Sequence, residues 1–221
     1  MPFFRSGDKL IYFIHVPKCA GTSVEFYLAE RFGPLAFKDS EHYRRPERER
    51  WSKSSPQHVL LPDLTRLVPL EMFDAMFAVV RHPVDRMASA YLFKREVERQ
   101  VPPEMSFDAW LDGLEAVRAE DPYALDNHVC AAVEFVPEEG AAVFRLEDGL
   151  GALVEWLDTQ VGSADGPREI GHKQNRANWY ARRNKPTAEF SVGPEARARI
   201  REMYALDFER FGYGIDDETA Y

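Results

Sequence analysis

Residues Phe13–Leu28 read "FIHVPKCAGTSVEFYL". An apolar, β-prone run ends at Pro17-Lys18, passes through small residues and resumes as a helix-like pattern. An ordinary strand-to-helix turn needs neither a lysine nor two adjacent hydroxyls. A turn that receives a phosphate group uses both. Backbone N–H groups at a helix N-terminus, reinforced by the helix dipole, favour an anion. Gly21 lets backbone approach closely. Lys18 adds a mobile positive charge, and Thr22 and Ser23 add hydroxyl donors. The G-x-x-x-x-G-K-[ST] spacing is absent, because here the lysine precedes the small-residue turn. On this segment alone, a plain βα turn with a surface lysine is an equal reading.

Outward from this turn, strand and helix patterns alternate. Leu10–Val16 reads as a first strand and Thr22–Phe32 as a helix stopped by Gly33-Pro34. Residues 38–56, "KDSEHYRRPERERWSKSSP", read as a polar loop or insertion. His58–Leu61 is a short apolar run and Phe77–Val80 a buried strand. "RHPVDRMASAYLFKREVER" follows as a helix with Pro83 in its first turn. Ser106 caps a further helix, and Tyr123–Val133 reads as another. Ala142–Leu146 is a strand, Leu150–Val161 an amphipathic helix, and 166–186 irregular and basic. Gly193-Pro194 opens a C-terminal helix over 194–211, with Ile200, Tyr204, Phe208 and Phe211 on one face. The alternation predicts one α/β domain over 1–221, with a mainly parallel central sheet flanked by helices.

Composition narrows the function. With 28 basic and 37 acidic residues the formal charge is −9, which argues against a nucleic-acid surface. Basic groups for an anionic ligand must therefore be concentrated locally. Two cysteines, Cys19 and Cys130, make no disulfide framework. The N-terminal apolar run is too short for a signal h-region or a membrane span, so the expectation is a soluble, cytoplasmic protein. No metal-ligand cluster is evident, and oligomeric state is not legible.

The segment "FAVVRHPVDRMASAYLFKR" supplies a second anion site. Arg81 stands where a strand ends and a helix begins, the edge at which open α/β sheets bind ligands. Ser89 lies two turns further on, on the same side. A guanidinium fork and a hydroxyl suit a phosphate monoester. Taken singly, Arg81 is equally a strand-end ion pair and Ser89 a helix-surface residue.

Together these stretches carry a resemblance. "HVPKCAGTSV" resembles the 5′-phosphosulfate loop of sulfotransferases that use 3′-phosphoadenosine-5′-phosphosulfate (PAPS), and "AVVRHPVDRMASAY" resembles their 3′-phosphate segment. The wording is similar to the family 2 type, the Golgi carbohydrate sulfotransferases and their bacterial relatives. "QHVLLPDL" resembles the short histidine segment of the heparan sulfate 2-O-sulfotransferase branch, where that branch places its catalytic base; the resemblance implies that role for the matching residue, His58, and an exposed loop histidine near Pro56 is the alternative. "MSFDAWL", "FRLED" and "IGHKQNRANW" follow in the expected order, so the resemblance spans roughly 10–180. It implies a P-loop-kinase-like fold and sulfuryl transfer from PAPS to a hydroxyl acceptor, a carbohydrate by family analogy, without a metal ion. It implies that Lys18, Cys19, Ala20, Gly21, Thr22 and Ser23 hold the 5′-phosphosulfate and that Arg81 and Ser89 hold the 3′-phosphate. His172 and Lys173, with Arg176, match a basic loop that closes over the nucleotide. A solvated basic patch is the alternative for that loop.

Two departures stand out. Cys19 occupies a position where the family often has Thr, and is read as a packed small residue. The membrane anchor of the eukaryotic relatives has no counterpart. Of the other histidines, His15 reads as structural, His82 as framing the nucleotide, and His128 as lying in an uncharacterised helix. The "EHYRRPERERW" loop could hold an acidic sugar through arginines and aromatics, or could be a solvated charged loop. Two rival functions share the motifs: an ATP-dependent, kinase-like phosphotransferase, and a catalytically silent nucleotide-binding protein.

Overall fold

The computed structural model describes residues 1–171 and 190–221. Among the described residues, four strands form one sheet in the order β1-β2-β3-β4. They are β1 (Phe3–Ser6), β2 (Lys9–Ile14), β3 (Ala75–Val80) and β4 (Ala141–Arg145). β1 and β2 pair antiparallel, whereas β2–β3 and β3–β4 are parallel. The helices are α1 (Gly21–Phe32), α2 (Leu61–Leu67), α3 (Pro83–Glu96), α4 (Phe107–Glu120), α5 (Gly151–Val161), α6 (Pro194–Met203) and α7 (Ala205–Phe211). The mixed α/β architecture, with a mostly parallel sheet flanked by helices, is the one the alternation predicts.

β2 and β3 are the buried centre. Ile11–Ile14 and Phe77–Val80 are almost wholly excluded from solvent. Continuous apolar runs of this kind are what parallel strands covered on both faces require. Phe13 stacks on Phe77 at 5.0 Å, and Phe77 packs against Trp156 of α5. α1 buries Val24 and Leu28, and α3 buries Val84, Met87, Ala88, Tyr91 and Leu92. This packing brings the C-terminal ends of β2 and β3 together, so that Pro17–Ala20 and Arg81-His82 leave the sheet at one edge.

Several local expectations are corrected. β1 was not anticipated; Gly7-Asp8 joins it to β2 as a two-residue hairpin turn, with Gly7 at φ 61°. β2 ends at Ile14, so His15 and Val16 lie beyond the strand. The apolar run His58–Leu61 joins two elements: Pro56–His58 is a single 3₁₀ turn, Val59 and Leu60 are extended, and α2 begins at Leu61. The helix expected over Tyr123–Val133 does not form. Leu125, Asp126 and Asn127 have φ of 55°, 56° and 58°, a left-handed run that no α-helix accommodates, leaving short 3₁₀ turns at Ala124–Asn127 and Ala132–Glu134. The C-terminal helix divides into α6 and α7 at Tyr204, whose φ is −117° and whose hydroxyl donates to the Val129 carbonyl at 2.8 Å. Within 38–56, short 3₁₀ turns at His42–Arg44 and Glu47–Glu49 give the polar loop some order.

Candidate functional site

The turn after β2 is built from unusual backbone. Lys18 has φ 68° and Ala20 φ 60°, both left-handed without being glycine. Such geometry persists only where surrounding structure enforces it, and it clusters at functional sites. α1 then starts at Gly21. Ala20, its N-cap residue, offers no side-chain cap, and the first turn holds no acidic residue. The leading N–H groups of α1 therefore have no such cap and face an anion's natural position. Thr22 is half-buried and Ser23 buried. The N-terminus of α3 differs: His82 caps it by accepting from Val84 N and donates from Nε2 to the Gly214 carbonyl.

Gly21 has a second task. A Cβ there would overlap the ring of His15. His15 in turn holds Glu25 of α1 through Nδ1 at 2.8 Å, and Glu25 pairs with Lys38 at 3.1 Å. Burial alone would raise the Glu25 carboxyl, but the His15 hydrogen bond and the Lys38 charge outweigh it and hold the group at about 2. Gly21→Ala is expected to push His15 off its seat and lower unfolding free energy by about 1–3 kcal/mol, the usual cost of overpacking. Chemical denaturation checks this; an unchanged midpoint would mean the ring moves aside freely.

Cys19 is 1% exposed, and burial pushes its thiol up to about 12. It is a packed residue, not a thiolate nucleophile. Lys18 rests with Nζ 3.8 Å from the centroid of the Phe93 ring. Burial, and then the charge of nearby Lys94, lower the Lys18 ammonium to about 7. Lys94 is itself buried and paired with Glu98 at 2.6 Å.

Three histidine rings meet edge to face beside this turn. His15 and His58 lie 4.8 Å apart between centroids, as do His58 and His128. His128 also stacks on Phe93. His58 Nδ1 lies 2.7 Å from Asp126 Oδ2. Asp126 accepts further from Ser55 Oγ, Ser55 N and Tyr43 OH at 2.8, 2.7 and 2.8 Å. Burial would raise this carboxyl, yet the charges of His58 and His128 and these hydrogen bonds hold it far below the usual carboxylate range. Burial, and then the charge of Lys94, lower His128 well below its ordinary value. Burial likewise lowers His15, against the opposing pull of Glu25.

His58, Asp126 and His128 offer three ligand atoms within 4.8 Å of one another, so they are the described residues best placed to hold a cation. The two oxygens of Asp126 already take four hydrogen bonds, about the full capacity of a carboxylate, which a cation would have to displace.

Arg81, two residues before α3, and Ser89, within it, are both partly exposed. Arg81 reaches Asp85 only at 3.5 Å and lies 5.9 Å from the Tyr221 ring. Asp85 is committed elsewhere, accepting from Ala220 N at 3.0 Å. His172, Lys173 and Arg176 lie outside the described residues.

A cleft of ≈ 960 Å³ adjoins this cluster, its lining including Tyr43, Arg50, Lys53, Lys94, Glu98 and Asp126. The arginines of the polar loop are used within the protein. Arg44 pairs with Glu41 at 2.8 Å, Arg45 with Asp39 at 2.7 Å, and Arg50 donates to the Arg45 carbonyl at 3.0 Å. Tyr43 remains half exposed. Asp126 and Ser55 had escaped the sequence reading, and Tyr43 had entered it only as one of the loop's aromatics. The only local signal was "DNH" at 126–128, and nothing in it announces a left-handed turn.

Comparison with known proteins bears on the family and the fold. A family model described as "Sulfotransferase family" matches residues 1–214. Among solved structures, a sulfotransferase from Alicyclobacillus acidocaldarius superposes with a TM-score of 0.55 at 16% sequence identity, covering 95% of this chain and 96% of that one. At that identity the likeness speaks for the fold. Comparison with curated proteins gives no match.

Proposed function

The chain belongs to the sulfotransferase family, and we propose that it moves the sulfuryl group of PAPS to a sugar hydroxyl, with His58 as general base. The observation that carries this reading is the turn at Lys18–Gly21. It pairs an uncapped helix N-terminus with a lysine, and it touches His58 through a single intervening ring, His15.

The roles follow from the chemistry. An acceptor oxygen attacks sulfur in line, and a phosphate oxygen leaves. The protein positions the partners and stabilises the charge that moves. The N–H groups of α1, with Thr22 and Ser23, hold the 5′-phosphate. Lys18 swings from Phe93 to the bridging oxygen and neutralises the departing phosphate. Arg81 and Ser89 take the 3′-phosphate, and the long Arg81–Asp85 contact leaves the guanidinium available for it. His58 removes the acceptor proton. His128 and His15 suit that task less well, since both are buried, unlike His58, and burial has lowered both. The acceptor occupies the cleft beside Asp126. Lys94 and Lys53 are paired with Glu98 and Glu47 there, and Arg50 serves backbone carbonyls. That arrangement favours a neutral sugar lying on Tyr43 over an acidic one held by ion pairs.

The test is nucleotide choice. Binding to the folded state raises the melting temperature, so 3′,5′-adenosine bisphosphate should stabilise the protein strongly, and AMP or ATP with Mg²⁺ weakly. Arg81→Ala should lose about 1.5–3 kcal/mol of bisphosphate affinity, the worth of a charge-assisted hydrogen bond, and leave AMP affinity unchanged. Equal stabilisation by AMP and the bisphosphate would defeat the assignment, and a preference for MgATP would favour a phosphotransferase.

A further inference from the structure

We infer that Asp126 is the positioning residue of the reaction: it sets the tautomer and angle of His58 from a strained turn whose function is to present it. The inference rests on His58 as the base of the proposed sulfuryl transfer.

The backbone gives the first argument. Leu125, Asp126 and Asn127 are three consecutive non-glycine residues with left-handed φ. L-residues visit this region singly and at a cost, and such outliers persist where their surroundings over-determine them. Beside the donors Asp126 takes from Ser55 and Tyr43, what this turn achieves is contact with His58. The Asp126 carboxylate meets His58 Nδ1 at 2.7 Å, and the Asn127 side chain donates to the His58 carbonyl at 2.8 Å. The His128 ring lies edge-on against that of His58, with its own Nδ1 donating to the Asp126 carbonyl at 3.1 Å. One turn therefore holds the ring, the backbone and the flank of His58.

Proton positions give the second argument. An ionised carboxylate only accepts, so the proton shared with His58 sits on Nδ1. The lone pair is then on Nε2, which has no hydrogen-bond partner among the described residues. That is the tautomer a general base requires, and it leaves the imidazolium formed after proton transfer against a fixed negative charge. The same carboxylate ties His58 to the cleft. Its Oδ1 accepts from Tyr43, a half-exposed lining residue, and from Ser55 N. Those two donors also predict what Asp126→Asn does. They keep the amide oxygen on their side and turn the NH₂ toward His58. An NH₂ donating to Nδ1 places the ring proton on Nε2 and removes the base.

The experiment reads the tautomer and the kinetics together. In the wild-type protein, ¹⁵N–¹H correlation spectra of neutral His58 should show protonated Nδ1 and bare Nε2. Asp126→Asn should invert that pattern. It should also lower kcat by about 10²–10⁴-fold, the range for loss of a general base held in the wrong tautomer, with KM and bisphosphate affinity changed less than about 3-fold. The wild-type spectrum needs no variant, so a poorly folded Asp126→Asn protein would not rescue the inference. A wild-type ring protonated on Nε2 overturns it, and so does Asp126→Asn with normal kcat alongside an inactive His58→Ala. Normal turnover in His58→Ala would instead strike at the general-base reading.

Discussion

His58→Ala is expected to lower turnover by about 10²–10⁴-fold, the usual range for losing a general base. Affinity for 3′,5′-adenosine bisphosphate should stay near wild type, because the ring is proposed to touch the acceptor hydroxyl and not the adenosine. The variant should fold. His58 is partly exposed and closes a one-turn 3₁₀ segment, and removing its ring leaves Asp126 with donors from Ser55 and Tyr43. The measurement needs a working acceptor, so a screen of neutral oligosaccharides and simple phenols with labelled PAPS comes first. Near-normal turnover would move the base to another group, with His15 and His128 the neighbours in contact. The variant also separates an enzyme from a silent nucleotide-binding protein, which would show no acceptor-dependent turnover to lose.

Lys18→Ala should reduce turnover by about 10²–10³-fold, the worth of one preorganised charge donor on a developing anion. Product-nucleotide binding should weaken much less, since the charge matters most as the leaving phosphate departs. Lys18 also predicts a pH dependence. In the empty site its ammonium titrates at about 7, lowered by burial and by the Lys94 charge. A phosphate beside Nζ favours the charged form and raises that value. Between about 7 and the bound-state value, the complex carries more protons than the free protein. Binding in that window takes up a proton, and affinity falls as pH rises; below about 7 the lysine is charged in both states and the dependence disappears. Calorimetry at pH 8 in buffers of different ionisation enthalpy should show this uptake, and Lys18→Ala should abolish it. Proton uptake that survives the substitution would assign the linkage to another group.

The alanine prediction at Lys18 and the folding prediction at Gly21 concern one turn but different forces. Lys18 answers to a ligand, whereas Gly21 answers to His15. A variant that loses stability without losing nucleotide preference, and one that does the reverse, would show the two functions of the turn to be separable.

What the chain's order of residues made legible by itself was the α/β alternation and the two segments proposed to bind anions. Period-2 and period-3.6 patterns are local, and so is the chemistry of a turn that brings Lys18, Gly21, Thr22 and Ser23 within a few residues. Arg81 could be read because strand ends in such sheets are where ligands gather. The hairpin at Gly7-Asp8 was not read, because its first strand, Phe3–Ser6, is too short to show a period-2 pattern. Tertiary structure alone decided how His58 is held. Asp126 lies 68 positions from it in the chain, and the contact depends on a left-handed turn that the apolar spacing over Tyr123–Val133 disguises as a helix. Helical periodicity reports which residues are buried. It cannot report that Asp126 and Asn127 form hydrogen bonds to His58 that hold the backbone out of a helix. The fates of the loop arginines were hidden for the same reason. Whether Arg44, Arg45 and Arg50 meet a ligand or a neighbouring carboxylate or carbonyl depends on distances that exist only once the loop has folded.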